Sequence, residues 1–148
     1  MRGLVLALLL SPALACGYVP QDLWAKTWKY ARAWGVDPYL VAAVVWVESG
    51  YCPGGVGRAG EVGLGQFMPG TWARTTGAPV EWRAHPDWAL WATAKHLREL
   101  YFAVGGDWRK ALWAYNAGLG AVQRGRVPAS TLRYAEKVLA VYRAWRRG

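Results

Sequence analysis

The chain has 148 residues, 54% apolar and only 18% charged, with 18 basic against 9 acidic side chains and a net charge of +9. That length supports one domain with a real core, and that composition excludes a disordered polymer. The charge either keeps the chain soluble or suits an anionic partner such as acidic lipid or a cell-wall polymer. Nucleic acid is disfavoured, because there is no dense Lys/Arg run, no recognition motif and no glycine-rich phosphate loop.

Residues 1–15 read MRGLVLALLLSPALA. Arg2 gives a basic start, Leu4 to Leu10 is an apolar run too short to span a bilayer, and Ala13-Leu14-Ala15 fits a small-x-small cleavage site. This pattern predicts a secretory signal peptide, leaving one domain over 16–148 with 17 basic and 9 acidic residues, net +8. A buried N-terminal helix is the alternative. Export would place the protein in the periplasm or cell envelope, or outside the cell.

The only cysteines are Cys16 and Cys52, and two readings are open for them. An oxidising compartment favours a Cys16–Cys52 disulfide. A lipid anchor on Cys16, the first mature residue, is the rival, although Ala13 stands where such a signal usually carries Leu. Two Cys with His85 and His96 show no ligand spacing, so no metal or other cofactor is expected.

From residue 20 onward the periodicity is helical. Pro20 to Trp34 forms a first helix with Leu23, Trp24, Thr27, Trp28 and Ala31 on one face, and Gly35 ends it. Asp37-Pro38 supplies an N-cap and a first-turn proline for a helix over 38–49, apolar nearly all round and therefore central and buried. Residues 50–62 hold five glycines and a proline and form a loop, with at most a small hairpin over 55–62. A turn near Leu64 to Met68 and a short helix from Pro69 to Thr76 follow, closed by Gly77. His85-Pro86-Asp87 opens a long helix to about Val104, with Leu90, Ala94, Leu97 and Tyr101 inward. Asp107 caps a helix through Tyr115, Asn116 to Val127 is loop, and an amphipathic helix runs from about Ser130 to Arg146. The fold class is all-α, with helices packed around 38–49.

Most of the nine carboxylates have structural assignments. Asp37, Asp87 and Asp107 sit at N-cap positions, and Asp22 in a first turn. Lys95 with Glu99, and Arg133 with Glu136, make helix-surface pairs. Glu81 lies in a polar loop. Glu48 and Glu61 remain. Glu48 ends the run LVAAVVWV, where desolvation and the negative end of the helix dipole both raise a carboxyl pKa. A glutamic acid protonated near neutral pH serves as a general acid, as the acidic glutamate of lysozyme does in its apolar pocket. A helix-end Glu that simply turns to solvent is the alternative.

Its neighbours add to that reading. Glu48-Ser49 precedes a glycine loop, then GLGQFMPGTW over Gly63 to Trp72, then AYNAG over Ala114 to Gly118. VPASTLRYAEKV over Val127 to Val138 follows. Together these resemble the catalytic domain of the soluble lytic transglycosylase family, which has a goose-type lysozyme-like fold. The resemblance runs over roughly residues 37–142 and implies an enzyme acting on peptidoglycan glycan strands, without a cofactor. It implies Glu48 as the catalytic acid, with Ser49, Gln66, Tyr115, Asn116 and Tyr134 as substrate-binding or orienting residues. Glu48 would protonate the oxygen of the β-1,4 bond between N-acetylmuramic acid and N-acetylglucosamine. As carboxylate it would then take the proton of the 6-hydroxyl, whose attack closes a 1,6-anhydro ring.

There are departures from the family pattern. Gly65 replaces the usual Met before Gln66, which predicts room for water at the cleft. Gly57 stands where Ser is common, and Glu61 where a small residue is common, putting a second carboxylate near the site. Asn116 has an ordinary reading as the cap of the helix ending at Tyr115, and Gln66 as a partner for loop backbone. Most of the 11 tryptophans read as core; Trp72 and Trp82, off the long helices, are candidates for sugar stacking. Phe67, with Tyr115 and Tyr134, would keep water from the reacting centre. The rival functions are a lysozyme on the same fold, using Glu61 or a positioned water, and a non-enzymatic cationic wall-binding or membrane-active module; the chain is expected to be a monomer.

Overall fold

The structure, a computed structural model, describes residues 16–148; the signal-peptide reading of 1–15 lies outside the described residues. Among the described residues seven α-helices and a 3-10 helix follow in order: α1 (Gln21–Ala33), α2 (Pro38–Ser49), α3 (Pro69–Thr76), the 3-10 helix (Val80–Ala84), α4 (Pro86–Ala103), α5 (Trp108–Ala117), α6 (Leu119–Gln123) and α7 (Ala129–Arg147). Among the described residues the fold is all-α. The only β pairing among them is a pair of isolated bridges, Val56 with Val62 and Val62 with Phe67. The 55–62 segment therefore closes on itself through one antiparallel bridge, flanked by the Gly57 N–H to Glu61 carbonyl and Gly63 N–H to Gly55 carbonyl bonds, both 2.8 Å.

α2 occupies the centre because its sequence offers no polar face. Val41 to Val45 are fully enclosed, and Leu40 nearly so. Each of the valines and the leucine contributes roughly 1.5–3 kcal/mol of burial, and the alanines less, so the helix is fixed by packing on all sides. It lies against α1, α4 and α7. Its start is set by Asp37, whose Oδ1 accepts the Tyr39 N–H at 2.9 Å while Oδ2 accepts the Tyr142 hydroxyl at 2.9 Å and lies 3.5 Å from Arg146. The cap residue thus also ties α7 to α2. Its end is set by Gly50, left-handed at φ 61, whose N–H returns to the Trp46 carbonyl. Tyr51 is left-handed too, at φ 60, a costly conformation held by complete burial and a 2.8 Å hydrogen bond with Thr27.

Several expectations are corrected. Asp87 is not an N-cap: it lies inside the first turn of α4, accepting from the Tyr30 hydroxyl (2.6 Å) and Lys26 (3.1 Å), and so fastens α1 to α4. Long-range partners outcompeted the local backbone. Glu136 pairs across helices with Arg109 at 2.8 Å, not with Arg133, because α5 and α7 pack side by side. α5 continues to Ala117 and so includes Asn116, and the 116–127 stretch contains helix α6 despite its glycines. Tyr101 is only part-buried, packed on Trp108 with ring centroids 4.2 Å apart. Lys95 does reach Glu99, at 3.8 Å, and also donates to the Thr75 carbonyl at 2.7 Å.

The long 50–68 connection is fastened at many points. Cys16 and Cys52 form a disulfide, the first of the two readings open for them. Arg83 Nη1 donates to the carbonyls of Gly60 (3.1 Å) and Phe67 (2.8 Å). Gly63, at φ 89, lets the loop approach the Arg83 backbone, where any side chain would collide with the Arg83 carbonyl. A loop held this way can carry site residues with little freedom.

Candidate active site

Glu48 projects from the last turn of α2 into a cleft of about 610 Å³. Glu61, Gln66, Phe67, His96, Tyr115 and Asn116 share its walls. A second groove of about 790 Å³, with aromatic walls that include Trp24, Trp46 and Trp145, has no carboxylate side chain in its lining and offers no acid.

The Tyr134 hydroxyl of α7 donates to Glu48 Oε2 at 2.7 Å. Glu48 as a residue keeps partial exposure to the cleft, while its carboxyl group is densely surrounded by protein. The dense surroundings decide its chemistry, because they set the cost of the charge. Burial pushes its pKa up to about 7; the Tyr134 hydrogen bond opposes this, and the negative charge of Glu61 adds to it. A carboxyl group near 7 can both give and recover a proton at neutral pH. The buried phenols of Tyr115 and Tyr134 are pushed well above their ordinary range, first by burial and then by Glu48, so both stay hydrogen-bond donors.

The other predicted site residues are placed as follows. Tyr115, on α5, donates to the Gly65 carbonyl at 2.7 Å and packs against Phe67 (6.2 Å) and His96 (5.4 Å). Asn116 sits inside α5, not at a cap, and its Oδ1 accepts the Thr131 hydroxyl of α7 at 2.7 Å, which leaves its NH2 for the cleft. Gln66, left-handed at φ 53, uses its NH2 on the carbonyls of Gly55 (2.9 Å) and Gly63 (3.0 Å), so its amide oxygen is the group that can address a ligand. Ser49 is fully enclosed. Its hydroxyl bonds the carbonyls of Val45 (3.1 Å) and Leu64 (2.8 Å), not Glu48 and not the cleft. It joins the end of α2 to the loop that carries Gly65 and Gln66.

The expectation of room for water at Gly65 is corrected. A Cβ there would collide with Thr93 Oγ1 and come within 2.7 Å of Phe67 Cε1 and 2.9 Å of Tyr115 Oη. The place of a side chain at 65 is taken by those three residues. Trp72 is likewise not a sugar contact: it has no exposure, and its indole N–H is spent on the Pro79 carbonyl at 3.0 Å. Trp82 is 41% exposed but packs at a tilt against Trp88, outside the cleft lining.

Sequence reasoning missed His96. Burial, and then Arg74, push its pKa down to about 4, so it is a neutral imidazole in the cleft wall. The available signal was the pair Thr93 and His96, three apart on an otherwise apolar inner face of α4. Arg74 of α3 and Glu99 of α4 also reach this cleft. Among the described residues no three His, Cys, Asp or Glu side chains converge as a metal site would need, and no helix is long and apolar enough to cross a membrane.

The family model for the transglycosylase SLT domain matches residues 26–136. The peptidoglycan transglycosylase gp16 of Escherichia phage T7 is 35% identical over 115 residues, which is 75% of this chain but 9% of that protein. The endo-type membrane-bound lytic murein transglycosylase A of Klebsiella pneumoniae is 43% identical over 58 residues, 39% of this chain and 29% of that one. The chain therefore spans less than a third of the curated relatives it matches. Among solved structures, the 70 kDa soluble lytic transglycosylase of Escherichia coli superposes with a TM-score of 0.72 at 25% identity, over 84% of this chain and 24% of that one. The lytic transglycosylase Slt of Pseudomonas aeruginosa gives 0.71 at 24% identity over 80% of this chain and 23% of that one, a likeness of fold.

Proposed function

The chain belongs to the transglycosylase SLT domain family, and on that premise we propose that it is an exported peptidoglycan lytic transglycosylase with Glu48 as its single acid and base. The observation that carries the reading is the Glu48 carboxyl group, enclosed by protein in the wall of the cleft and held by the Tyr134 hydroxyl at 2.7 Å. In the first step the Glu48 proton moves to the glycosidic oxygen as the bond from that oxygen to C1 of N-acetylmuramic acid breaks. The substrate's acetamide oxygen supports C1 in the oxocarbenium-like stage. In the second step the Glu48 carboxylate takes the proton of the 6-hydroxyl as O6 attacks C1. A 1,6-anhydro ring closes, Glu48 is protonated again, and no water is consumed.

The remaining residues suit this sequence. Tyr134 donates to Glu48 Oε2 and steadies the carboxylate between the two steps. The NH2 of Asn116 and the amide oxygen of Gln66 suit the acetamide and hydroxyl groups of amino sugars. Ser49 acts indirectly, by locking the loop to the end of α2. Phe67, neutral His96 and Tyr115 make a wall that favours ring closure over attack by water. Residues 1–15 would direct export, residues 16–148 would act as one catalytic unit, and the Cys16–Cys52 bridge fits an oxidising envelope compartment. Hydrolysis on the same fold is the rival reading, favoured by Glu61 in the cleft lining.

Glu48→Gln keeps the shape of the side chain and removes the proton. With purified peptidoglycan as substrate, the variant is expected to lose at least roughly a hundredfold in turnover while folding normally. Turnover within a few-fold of the parent would reject Glu48 as the acid.

A further inference from the structure

Glu61 stands in the cleft with a carboxylate that the single-acid sequence does not use. Its place depends on Gly57, because any Cβ at 57 would collide with Glu61 Oε1, Cδ and Cγ. Glu61 Oε1 also accepts the Ala59 N–H at 3.0 Å, so the side chain is folded back over its own turn. The Gly57 N–H bonds the Glu61 carbonyl at 2.8 Å, which fixes the two residues opposite each other. Glycine at 57 and glutamate at 61 are thus one feature: the first supplies the space that the second fills.

We propose that Glu61 is a positioning residue for the proton of Glu48: its negative charge, housed by Gly57, lies in the wall of the same cleft and opposes ionisation of the acid. This rests on Glu48 being the acid of the reaction. The titratable and charged groups that share the cleft or contact Glu48 are few. α7 contributes Tyr134 and α5 contributes Tyr115, both phenols that stay protonated. Arg74 of α3, with His96 and Glu99 of α4, also lines the cleft. Glu61 is the one carboxylate whose charge bears on Glu48, and it acts in the same direction as burial and against Tyr134. Glu61 would therefore add to burial, the larger cause, in keeping the acid protonated into the neutral range. Because Glu61 is part-exposed, its influence is screened by salt.

The test is the pH profile of kcat/KM on purified peptidoglycan, measured with the full chain at low and high salt. In Glu61→Gln the alkaline limb should move down by about half a pH unit, a roughly threefold loss at pH 8 with no loss at pH 5. The displacement should shrink at high salt, and the products should be unchanged. Gly57→Ala, which keeps the charge but drives the carboxylate out of its place, should move the limb the same way. It should have no further effect in a Glu61→Ala background. A 13C titration of the Glu48 carboxyl should show the same downward movement without any turnover. An unmoved limb in Glu61→Gln overturns the proposal. So does an equal loss at every pH, which would make Glu61 a catalytic base. If Glu48→Gln is itself active, the functional reading has failed and this proposal falls with it. If Glu48→Gln is inactive and the profiles coincide, only this proposal fails.

Discussion

A group held out of its ordinary protonation range for catalysis should cost the fold stability, and Glu48 allows the cost to be worked out. Its ordinary pKa is 4.5, and in the folded protein it rises to about 7. Between these values the folded protein holds a proton that the unfolded chain has released. Stability therefore falls as pH rises through this window and levels off above it. The interval corresponds, at about 1.4 kcal/mol per pH unit, to roughly 3 kcal/mol. Partial exposure to the cleft lets water relieve part of this, so about 2 kcal/mol is the expected size. Glu48→Gln removes the titration and leaves the shape. Its stability should match the parent at pH 4 and exceed it by about 2 kcal/mol at pH 8. At about 2–4 °C per kcal/mol, that is a Tm advantage of roughly 4–8 °C. Chemical denaturation of parent and variant at pH 4, 5, 6, 7 and 8 measures it. A difference that stays constant over that range would refute the reasoning, because it would place the Glu48 carboxylate in water.

Two further outcomes follow from the same geometry. Tyr134→Phe removes the donor to Glu48 Oε2 at 2.7 Å, so the alkaline limb of activity should move up in pH. kcat should fall roughly tenfold, as about 1.5 kcal/mol of stabilisation of the ionised Glu48 is lost; a downward movement of the limb would contradict the assignment. Gly65→Ala should destabilise by about 1–3 kcal/mol, since its Cβ meets Thr93, Phe67 and Tyr115, and equal Tm values for parent and variant would show a void the structure lacks.

The fold was readable where local signals were strong and uncontested. Asp37-Pro38 and Gly50 bracket α2, and Pro69 and Gly77 bracket α3, because caps and left-handed glycines act within a few residues. α6 escaped because five residues among glycines carry too little periodicity to register. Asp87 and Glu136 misled because both have acceptable local partners and better distant ones. The cleft was partly readable: an apolar run ending in Glu48 has a physical cost visible in sequence. Its partners, Tyr134 at 86 residues' remove and Tyr115 near Gly65 at 50, came only from resemblance to a family. Ser49 and Trp72 show the limit of that route, since motif position does not say whether a side chain faces the cleft or the core.

Whether the 6-hydroxyl or water attacks C1 separates a transglycosylase from a hydrolase, and the label in the product decides it. Purified peptidoglycan is digested in heavy-oxygen water and the released muropeptides are weighed. Attack by the 6-hydroxyl predicts 1,6-anhydro-N-acetylmuramic acid ends, one water lighter than hydrolytic ends and free of the label, with no such product from Glu48→Gln. Reducing ends that carry the heavy oxygen as the main product would contradict ring closure, and would make this chain a lysozyme on a transglycosylase fold.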